Sequence, residues 1–267
     1  MKKLSHNAGL GLANELIANG KIYFTFSDAR RRLGRSAAAT GNLLKRMESA
    51  GLIDRVRRGH YVVRQLGVLG TPSVAEEVAL AVGAAFTGTP HRMGYRTALD
   101  EHDLIVHPAR SITVATPKQV RTRALSGRPL QIVKEPESHI LIGAIPCGST
   151  WVSDRERALL DAATRPKLVG GSAVLAEAIA TAENEIDVDK LTHYAKQLNW
   201  AAAIRRIGSI ADALELQNLA NRIRPLKPIT SDLDLEPGVT QPLAWRDARW
   251  RVRWLQVPDE LANVVRQ

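Results

Sequence analysis

Two carboxylates in the second half of the sequence have a spacing that could serve catalysis. Asp187 and Asp189 follow a Gly-Ser pair at Gly171 and Ser172. In enzymes that transfer nucleotides, a Gly-Ser turn precedes a strand with two carboxylates that bind metal ions. Here the residues before Asp187 are rich in alanine and predict a helix, and either aspartate suits the cap of a helix from Lys190 to Leu198. We therefore favour a structural role for the pair, with catalysis as the weaker alternative.

The other candidate nucleophiles and metal ligands lack suitable partners. His91, His102 and His107 lack the helical spacing of metal ligands and have no carboxylates at fixed offsets apart from Glu101 and Asp103, which we expect to be ordinary surface residues. Cys147 is the one cysteine, so the chain can form no internal disulfide, and no activating base lies near it in the sequence. The sequence thus predicts no catalytic residue, no metal site and no cofactor.

Charge is the property that restricts the function most. The chain has 267 residues and a net charge of +10, with 45% hydrophobic and 24% charged residues, as in ordinary soluble proteins. Residues 1–66, which we call the head, contain thirteen basic and four acidic side chains and so carry +9 of that charge. This asymmetry predicts a nucleic-acid-binding head on a nearly neutral body. On charge alone, a solvated or lipid-facing basic surface is equally compatible.

Length and composition predict two domains and a cytoplasmic location. No run of about 18 apolar residues occurs, so no membrane span is predicted, and the first ten residues do not resemble a signal peptide. A single cysteine suits a reducing compartment. We expect a domain at 1–66 and a second at 74–267, the body, joined by a linker over Leu66–Ser73, which contains two glycines and a proline.

The head begins with two short helices around a β-favouring segment. Apolar residues at helical spacing predict a helix over Ala8–Asn19, and a strand follows over Ile22–Phe26. Ser27 is the predicted cap of a second helix that stops at Gly34.

A third helix is well delimited at both ends. Ser36 is its predicted N-cap, and Gly51 suits the left-handed residue after its last turn, with Leu52 against Met47. Two strands follow, Leu52–Val56 and His60–Val63. Three helices and a hairpin with a basic tip form the pattern of a winged helix-turn-helix. In this fold the third helix enters the major groove and the hairpin, or wing, lies against the backbone or in the minor groove. The alternative is a protein-interaction module.

The third helix opens with small residues and has no acid in its first turn. Small side chains allow close approach to DNA, and an acid there would repel phosphate. Asn42, Lys45 and Arg46 are the candidate base readers, and the arginines around them are candidate phosphate contacts. The predicted DNA-binding residues are Arg30, Arg31, Arg32, Arg35, Ser36, Ala37, Ala38, Gly41, Asn42, Lys45, Arg46, Arg55, Arg57, Arg58 and His60.

The body is predicted to be mixed α/β, which makes the whole chain α+β with a winged helix-turn-helix at its N-terminus. The predicted elements are helices Val74–Phe86 and Gly94–Leu104, strands Ser111–Ala115, Leu130–Lys134, Ile140–Ile145 and Thr150–Val152, and helices from Asp154 to Ala220. Within VSDRERALLDAAT, Ser153 and Glu156 have the spacing of a capping box before a buried helix. Trp245, Trp250 and Trp254 either form an interaction strip or pack a terminal strand onto the body.

Several segments together carry a family resemblance. After the basic winged helix come SDRERALLDAATRPKLVGG (153–171), LTHYAKQLN (191–199), AIRRIGSIADAL (203–214) and, near the end, WRDARWRVRWL. In this order they resemble the AbiEi antitoxin family of abortive-infection, type IV toxin-antitoxin systems, over about residues 8–255.

The resemblance implies a transcriptional repressor that binds inverted repeats in its own promoter, on double-stranded DNA. It also implies a nucleotidyltransferase toxin, AbiEii-like, whose effect the body counteracts, with direct contact left open. The family supplies no catalytic residues to transfer, so we expect no enzyme and no membrane partner. Two alternatives remain, namely a winged-helix regulator whose body senses a small molecule and a nucleic-acid-processing enzyme with a winged-helix head.

Overall fold

The computed structural model describes residues 4–64, 74–120, 124–125 and 128–265. The chain divides into two compact units. The first comprises Met1–His91, Arg110–Lys134 and Pro146–Trp151, and the second comprises Arg92–Ala109, Glu135–Ile145 and Val152–Gln267. The predicted domains, 1–66 and 74–267, stay a prediction, and their predicted linker at Leu66–Ser73 lies outside the described residues.

The head, within the first unit, consists of helices and one small sheet. Its elements are α1 (Leu4–Ala18), β1 (Tyr23–Thr25), α2 (Phe26–Leu33), α3 (Ala37–Ser49), β2 (Ile53–Arg57) and β3 (His60–Val63). The strands are antiparallel, with β3 between β1 and β2. The predicted winged-helix arrangement of the head is confirmed.

The head closes around the inner faces of α1 and α3. Leu12 and Leu16 of α1 are buried with Leu43, Leu44 and Met47 of α3, in one cluster that also includes residues of the sheet. These positions follow the three-and-four spacing that keeps apolar side chains on one side of a helix. The core therefore fixes which side of α3 faces outward.

Both predicted ends of α3 are confirmed. The Ser36 hydroxyl accepts a hydrogen bond from the Ala39 N–H, as an N-cap does. At the other end Gly51 adopts φ 70°, and the Leu52 N–H donates to the Met47 carbonyl at 2.9 Å. This pairing is the Schellman ending that the sequence predicts.

The remaining elements confirm the predicted mixture of helix and strand. They are α4 (Val74–Ala85), β4 (Arg92–Met93), α5 (Arg96–Glu101), β5 (Ile112–Thr116), β6 (Ala124–Leu125), β7 (Arg128–Lys134), α6 (Glu137–Ile140), β8 (Ala144–Cys147), β9 (Thr150–Ser153), α7 (Arg155–Thr164), α8 (Ser172–Ala182), α9 (Val188–Gln197), α10 (Ala201–Ala213), α11 (Gln217–Ala220), β10 (Leu233–Asp234), β11 (Trp245–Asp247), β12 (Val252–Trp254) and α12 (Pro258–Val265). Within the first unit, β7 pairs with β5 in parallel and with β6 antiparallel. Within the second unit, β12 lies between β10 and β11.

Two predicted elements of the body are wrong in their extent. The strand predicted over Ile140–Ile145 begins only at Ala144, because Gly143, at φ 66°, turns the chain between α6 and β8. The helix predicted over Gly94–Leu104 is shorter, since Tyr95 and Asp103 both adopt φ 54°, outside the helical region.

The predicted capping box of α7 is also wrong. The N-cap is Asp154, whose carboxylate accepts from the Arg157 N–H, and not Ser153. Ser153 ends β9, and its hydroxyl donates to Asp161 at 2.9 Å. The Glu156 carboxylate accepts from the Asp187 N–H, so it is unavailable for a box.

A buried ionic cluster holds the second unit together. The Arg92 guanidinium donates to Asp161 at 2.8 Å and to Glu135 at 3.1 Å, and Arg157 contacts the same two carboxylates at 2.9 and 2.8 Å. All four side chains are at most 1% exposed. Burial by itself would raise the pKa of Asp161, but Arg157 and Arg92 outweigh it and hold that pKa below its ordinary value. Each guanidinium faces both carboxylates, so two positive and two negative charges balance within the cluster.

The tail tryptophans pack onto the second unit. Trp250 and Trp254 are fully buried. A Cβ at Gly208 of α10 would lie 2.3 Å from Trp250 Cζ2, so only glycine fits beneath that ring. The packing alternative is therefore confirmed for these two residues.

Replacing Arg92 with methionine tests the ionic cluster. The variant leaves two buried carboxylates facing one guanidinium, so the free energy of unfolding should fall by about 3–5 kcal/mol. Urea titration followed by tryptophan fluorescence measures the change. Arg246→Met, which removes an exposed ion pair with Asp232, is the matched control and should cost far less. Equal losses for the two variants would contradict the structural role of the cluster.

Candidate nucleic-acid interface

The outward side of α3 carries the predicted base readers. Asn42, Lys45 and Arg46 are exposed, on the side of the helix opposite its buried core residues. The Arg46 Nε donates to the Asn42 carbonyl at 3.2 Å, which lays its side chain along the helix. The structure thus places all three predicted readers on one surface.

The start of α3 is open and free of acids. Ser36, Ala37 and Ala38 are exposed, and Gly41 is half-buried one turn further along. The first turn contains no carboxylate, so no acid offsets the positive end of the helix dipole, although the Ser36 hydroxyl accepts from the Ala39 N–H. Such a helix end favours anions, and Arg35 lies directly before it.

The arginines of α2 extend the same basic surface. Arg30 and Arg31 are exposed, and with Ser27, Gly34 and Arg35 they line a depression of about 480 Å³. Arg32 differs from them because its guanidinium forms an ion pair with Glu15 of α1.

The position of the α2 arginines depends on a cap that the sequence misplaces. Thr25, not Ser27, begins α2, since its hydroxyl accepts from the Asp28 N–H and its own N–H donates to the Asp28 carboxylate. Thr25 is the last residue of β1 and already extended, so the chain passes from strand to helix without an intervening loop. The hydrogen bonds from the Thr25 hydroxyl and N–H lower the pKa of Asp28 below its ordinary value.

The wing contributes two exposed cations and a histidine. Arg55 and Arg58 are exposed, whereas the side chain of Arg57 lies outside the described part of the structure. His60 is half-buried and its Nδ1 is hydrogen-bonded to the Tyr23 hydroxyl, with the two rings stacked. His60 is therefore held within the sheet of the head.

Most of the predicted cations among the described residues of the head have no acidic partner. Ion pairs occupy Arg32, with Glu15, and Arg64, with Asp54 at 2.6 Å. Within the same part of the chain, no ion pair occupies Arg30, Arg31, Arg35, Lys45, Arg55 or Arg58. These six positive charges are available to an external anion.

A groove between α3 and the wing contains residues that the sequence does not single out. Its volume is about 830 Å³, and its lining comprises Phe26, Gly41, Lys45, Glu48, Arg55, Arg58, Gly59 and Tyr61. Four of these, Phe26, Glu48, Gly59 and Tyr61, are absent from the predicted set. The pairing of Tyr61 with Arg55 across the hairpin could have indicated Tyr61, because paired residues lie on the same face of a sheet. The tertiary approach of α3 to the wing has no such local signal.

At Asp187 and Asp189 the structure shows a helix cap, which is the structural role favoured from the sequence. Asp187 is the N-cap of α9, and its carboxylate accepts from the N–H groups of Asp189 and Lys190 at 3.0 Å. Ser172 begins helix α8 rather than a strand, and its N–H donates to the Glu236 carboxylate. No cluster of three His, Cys, Asp or Glu side chains that could bind a metal occurs among the residues the structure describes.

The three helices and the antiparallel hairpin define a winged helix-turn-helix, and its described cations on α2, α3 and the wing form an exposed basic surface. Residues 12–64 match the model of a family described as "Transcriptional regulator, AbiEi antitoxin". The resemblance to the AbiEi antitoxin family is thus confirmed on the head, and it supports the role of a regulator of the antitoxin class.

One solved structure is similar over nearly the whole chain. It is the crystal structure of the RV2827C protein from Mycobacterium tuberculosis, with a TM-score of 0.66 and 14% sequence identity, covering 96% of this chain and 94% of that one. At this identity the likeness concerns the fold alone. No curated protein matches the chain. Among the described residues, no helix combines the length and apolarity needed to cross a membrane.

Thr25→Ala tests the cap that positions the α2 arginines. Loss of the hydroxyl should destabilise the head by about 1 kcal/mol, whereas Ser27→Ala should change little. Because the folded pKa of Asp28 is lowered, its stabilisation is present above the ordinary aspartate pKa of about 4 and is lost as the pH falls through the folded pKa. The difference between wild type and Thr25→Ala should therefore shrink in acid. Hydrogen exchange of the α2 amides measures it, and a larger effect of Ser27→Ala would contradict the assignment.

Proposed function

We propose that this protein is a DNA-binding antitoxin that represses its own promoter. Its head binds inverted repeats there as double-stranded DNA, and the chain counteracts a nucleotidyltransferase toxin of the AbiEii kind in an abortive-infection, type IV system that serves phage defence. The cytoplasm is the compartment in which both activities would operate. The observation that carries the proposal is the set of six cations without ion pairs, among the described residues of α2, α3 and the wing, in a head that matches the AbiEi model.

We infer different roles for the residues of the head from where they lie on its surface. The exposed side of α3 is the surface that a major groove would meet, and Asn42 and Arg46 are the side chains suited to base edges there. Arg30, Arg31, Arg35, Arg55 and Arg58 surround it and suit phosphate contacts, which position the protein without reading sequence. Arg32 is an exception because Glu15 already neutralises it.

We further propose that the protein has no catalytic activity of its own. The carboxylate of Asp187 is committed to the N-terminus of α9, and the helix end at Ser172 is occupied by Glu236. The enzyme alternative requires both features to be free for metal and substrate. The sensor alternative assigns the body a small molecule rather than a toxin to counteract. The co-expression experiment below distinguishes it from the antitoxin proposal.

Salt dependence of DNA binding tests the regulatory half. Affinity for a labelled duplex from the protein's own promoter should fall with salt, and Arg57→Ala with Arg58→Ala should flatten the log–log slope by about 0.9 for each phosphate that the variant leaves unneutralised. Exposed Arg222 and Arg224 of the second unit provide a matched double-alanine control that should leave the slope unchanged. An unaltered slope in the wing variant would contradict the assignment of the wing.

Co-expression tests the antitoxin half. The full chain should restore growth that the product of the neighbouring toxin gene arrests, and the wing variant should restore it equally while failing to repress the promoter. Failure of rescue by both forms, with DNA binding intact in the wild type, would favour the sensor alternative.

A further inference from the structure

Gly41 lies in the interior of α3, where neither the backbone conformation nor the packing requires a glycine. Its φ lies outside the left-handed region, and a Cβ added there would meet only Phe26 Cε2, at an ordinary 3.9 Å. Glycine is less favourable than alanine inside a helix because it loses more backbone freedom on folding. Gly11 of α1 is equally unconstrained, with nothing within 4 Å of its added Cβ, so an unconstrained glycine does not by itself define a site. Gly41 differs from Gly11 because it lines the groove between α3 and the wing.

The lining of the groove combines aromatic and glycine residues with three cations. Phe26 lies at one end, where the added Cβ positions of Gly41 and Gly59 each come within 3.9 Å of its side chain. Lys45 of α3 and Arg55 and Arg58 of the wing line the groove, and none of them forms an ion pair among the described residues. Glu48 is the acid of this lining, so the net charge of the lining is +2. The net positive charge of the lining therefore favours an anionic ligand.

The lining of the groove also includes Tyr61, whose hydroxyl is a hydrogen-bond donor. This residue is only 7% exposed and its ring stacks on Phe24, with the ring centroids 5.5 Å apart. Within the described structure no group forms a hydrogen bond with its hydroxyl. Burial raises the pKa of Tyr61, with Arg55 opposing and Glu48 adding to the effect, so the phenol stays protonated. The hydroxyl is not among the buried polar atoms that lack a partner, so it opens on the groove and can donate to an external acceptor.

The geometry of duplex DNA identifies the acceptor. The sugar-phosphate backbone is the wall between the major and the minor groove. A winged helix that places α3 in one groove and its hairpin against the next must let one backbone pass between them. The groove lined by Gly41 and Tyr61 is the space between these two elements.

We propose that one phosphodiester of the bound duplex seats in this groove, against the Gly41 backbone, with the Tyr61 hydroxyl and the Lys45 ammonium as its donors. The proposal rests on the proposed function, since it requires that the head binds duplex DNA. It assigns Lys45 to positioning rather than to base reading, which leaves Asn42 and Arg46 as readers. Glu48, one turn beyond Lys45, disfavours a second phosphate on its side of the groove.

A methyl group at Gly41 should separate stability from binding. Gly41→Ala should raise the melting temperature by a few degrees through better helix propensity. The same methyl group would obstruct the phosphate, so affinity should fall roughly tenfold for the promoter duplex and for a shuffled duplex of equal length. Gly11→Ala is the matched control and should raise the melting temperature with no change in affinity. Wild-type affinity in Gly41→Ala would overturn the proposal.

A scan with neutral phosphates should locate the seated group. Replacing single phosphates of the promoter duplex by methylphosphonates should weaken the wild type at each contacted position. Tyr61→Phe, which keeps the stacked ring, should bind less tightly and lose its sensitivity at one of these positions only. Loss of sensitivity at none of them, in a variant that still binds, would overturn the proposal.

The outcomes also distinguish failure of the phosphate proposal from failure of the proposed DNA binding. If the wild type binds neither duplex, the proposed function fails. If the wild type binds both but the Gly41 and Tyr61 variants behave like it, only the seated phosphate fails. If inorganic phosphate or a nucleoside triphosphate at matched ionic strength displaces the wild type from DNA but leaves Gly41→Ala bound, the groove takes a free anion and the proposal is overturned.

Discussion

The packing of α3 against α1 is the constraint on which the interface depends. Leu43, Leu44 and Met47 are buried against Leu12 and Leu16, so the opposite side of α3 must face outward. Apolar burial of this kind is worth roughly 1.5–3 kcal/mol for each large side chain, far more than any single exposed ion pair. Solvation of charges therefore does not choose the orientation of α3. Burial of the apolar side of α3 sets this orientation, and it thereby determines which residues of the helix are exposed.

Ion pairs occupy a larger share of the described arginines in the second unit than in the head. In the second unit, Arg92 and Arg157 face buried carboxylates, and exposed arginines such as Arg246 and Arg249 pair with aspartates. In the head, the cations of α2, α3 and the wing largely lack such partners in the part of the chain that the structure describes. An arginine that is neutralised internally gains little from a phosphate, whereas an unpaired one releases counterions when it binds. An arginine available to DNA must therefore lack an internal partner and also lie on the surface that α2, α3 and the wing form together.

Local signals account for what the sequence predicts correctly. Ser36, Gly51 and Leu52 delimit α3 through contacts within a few residues, and Asp187 caps α9 in the same way. Where two hydroxyl residues compete, as Thr25 and Ser27 do, the outcome depends on the strand that precedes the helix, and the sequence prediction is wrong.

Features that join distant parts of the chain have no comparable signal in the sequence. In the ionic cluster Arg92 pairs with Asp161, which lies 69 positions further along the chain, and no local sequence pattern predicts that pairing. The groove beside Tyr61 is hidden for the same reason, since α3 and the wing form it only when the head folds.

The central claim is that the unpaired cations in the described part of the head are the surface that meets DNA. Arginine-specific chemical modification, read by mass spectrometry with and without the promoter duplex, tests it most directly on the full chain. Protection by the duplex should concentrate at Arg30, Arg31, Arg35, Arg55 and Arg58, while exposed Arg222 of the second unit should react equally in both states. Protection of Arg222 with the head arginines still reactive would contradict the account.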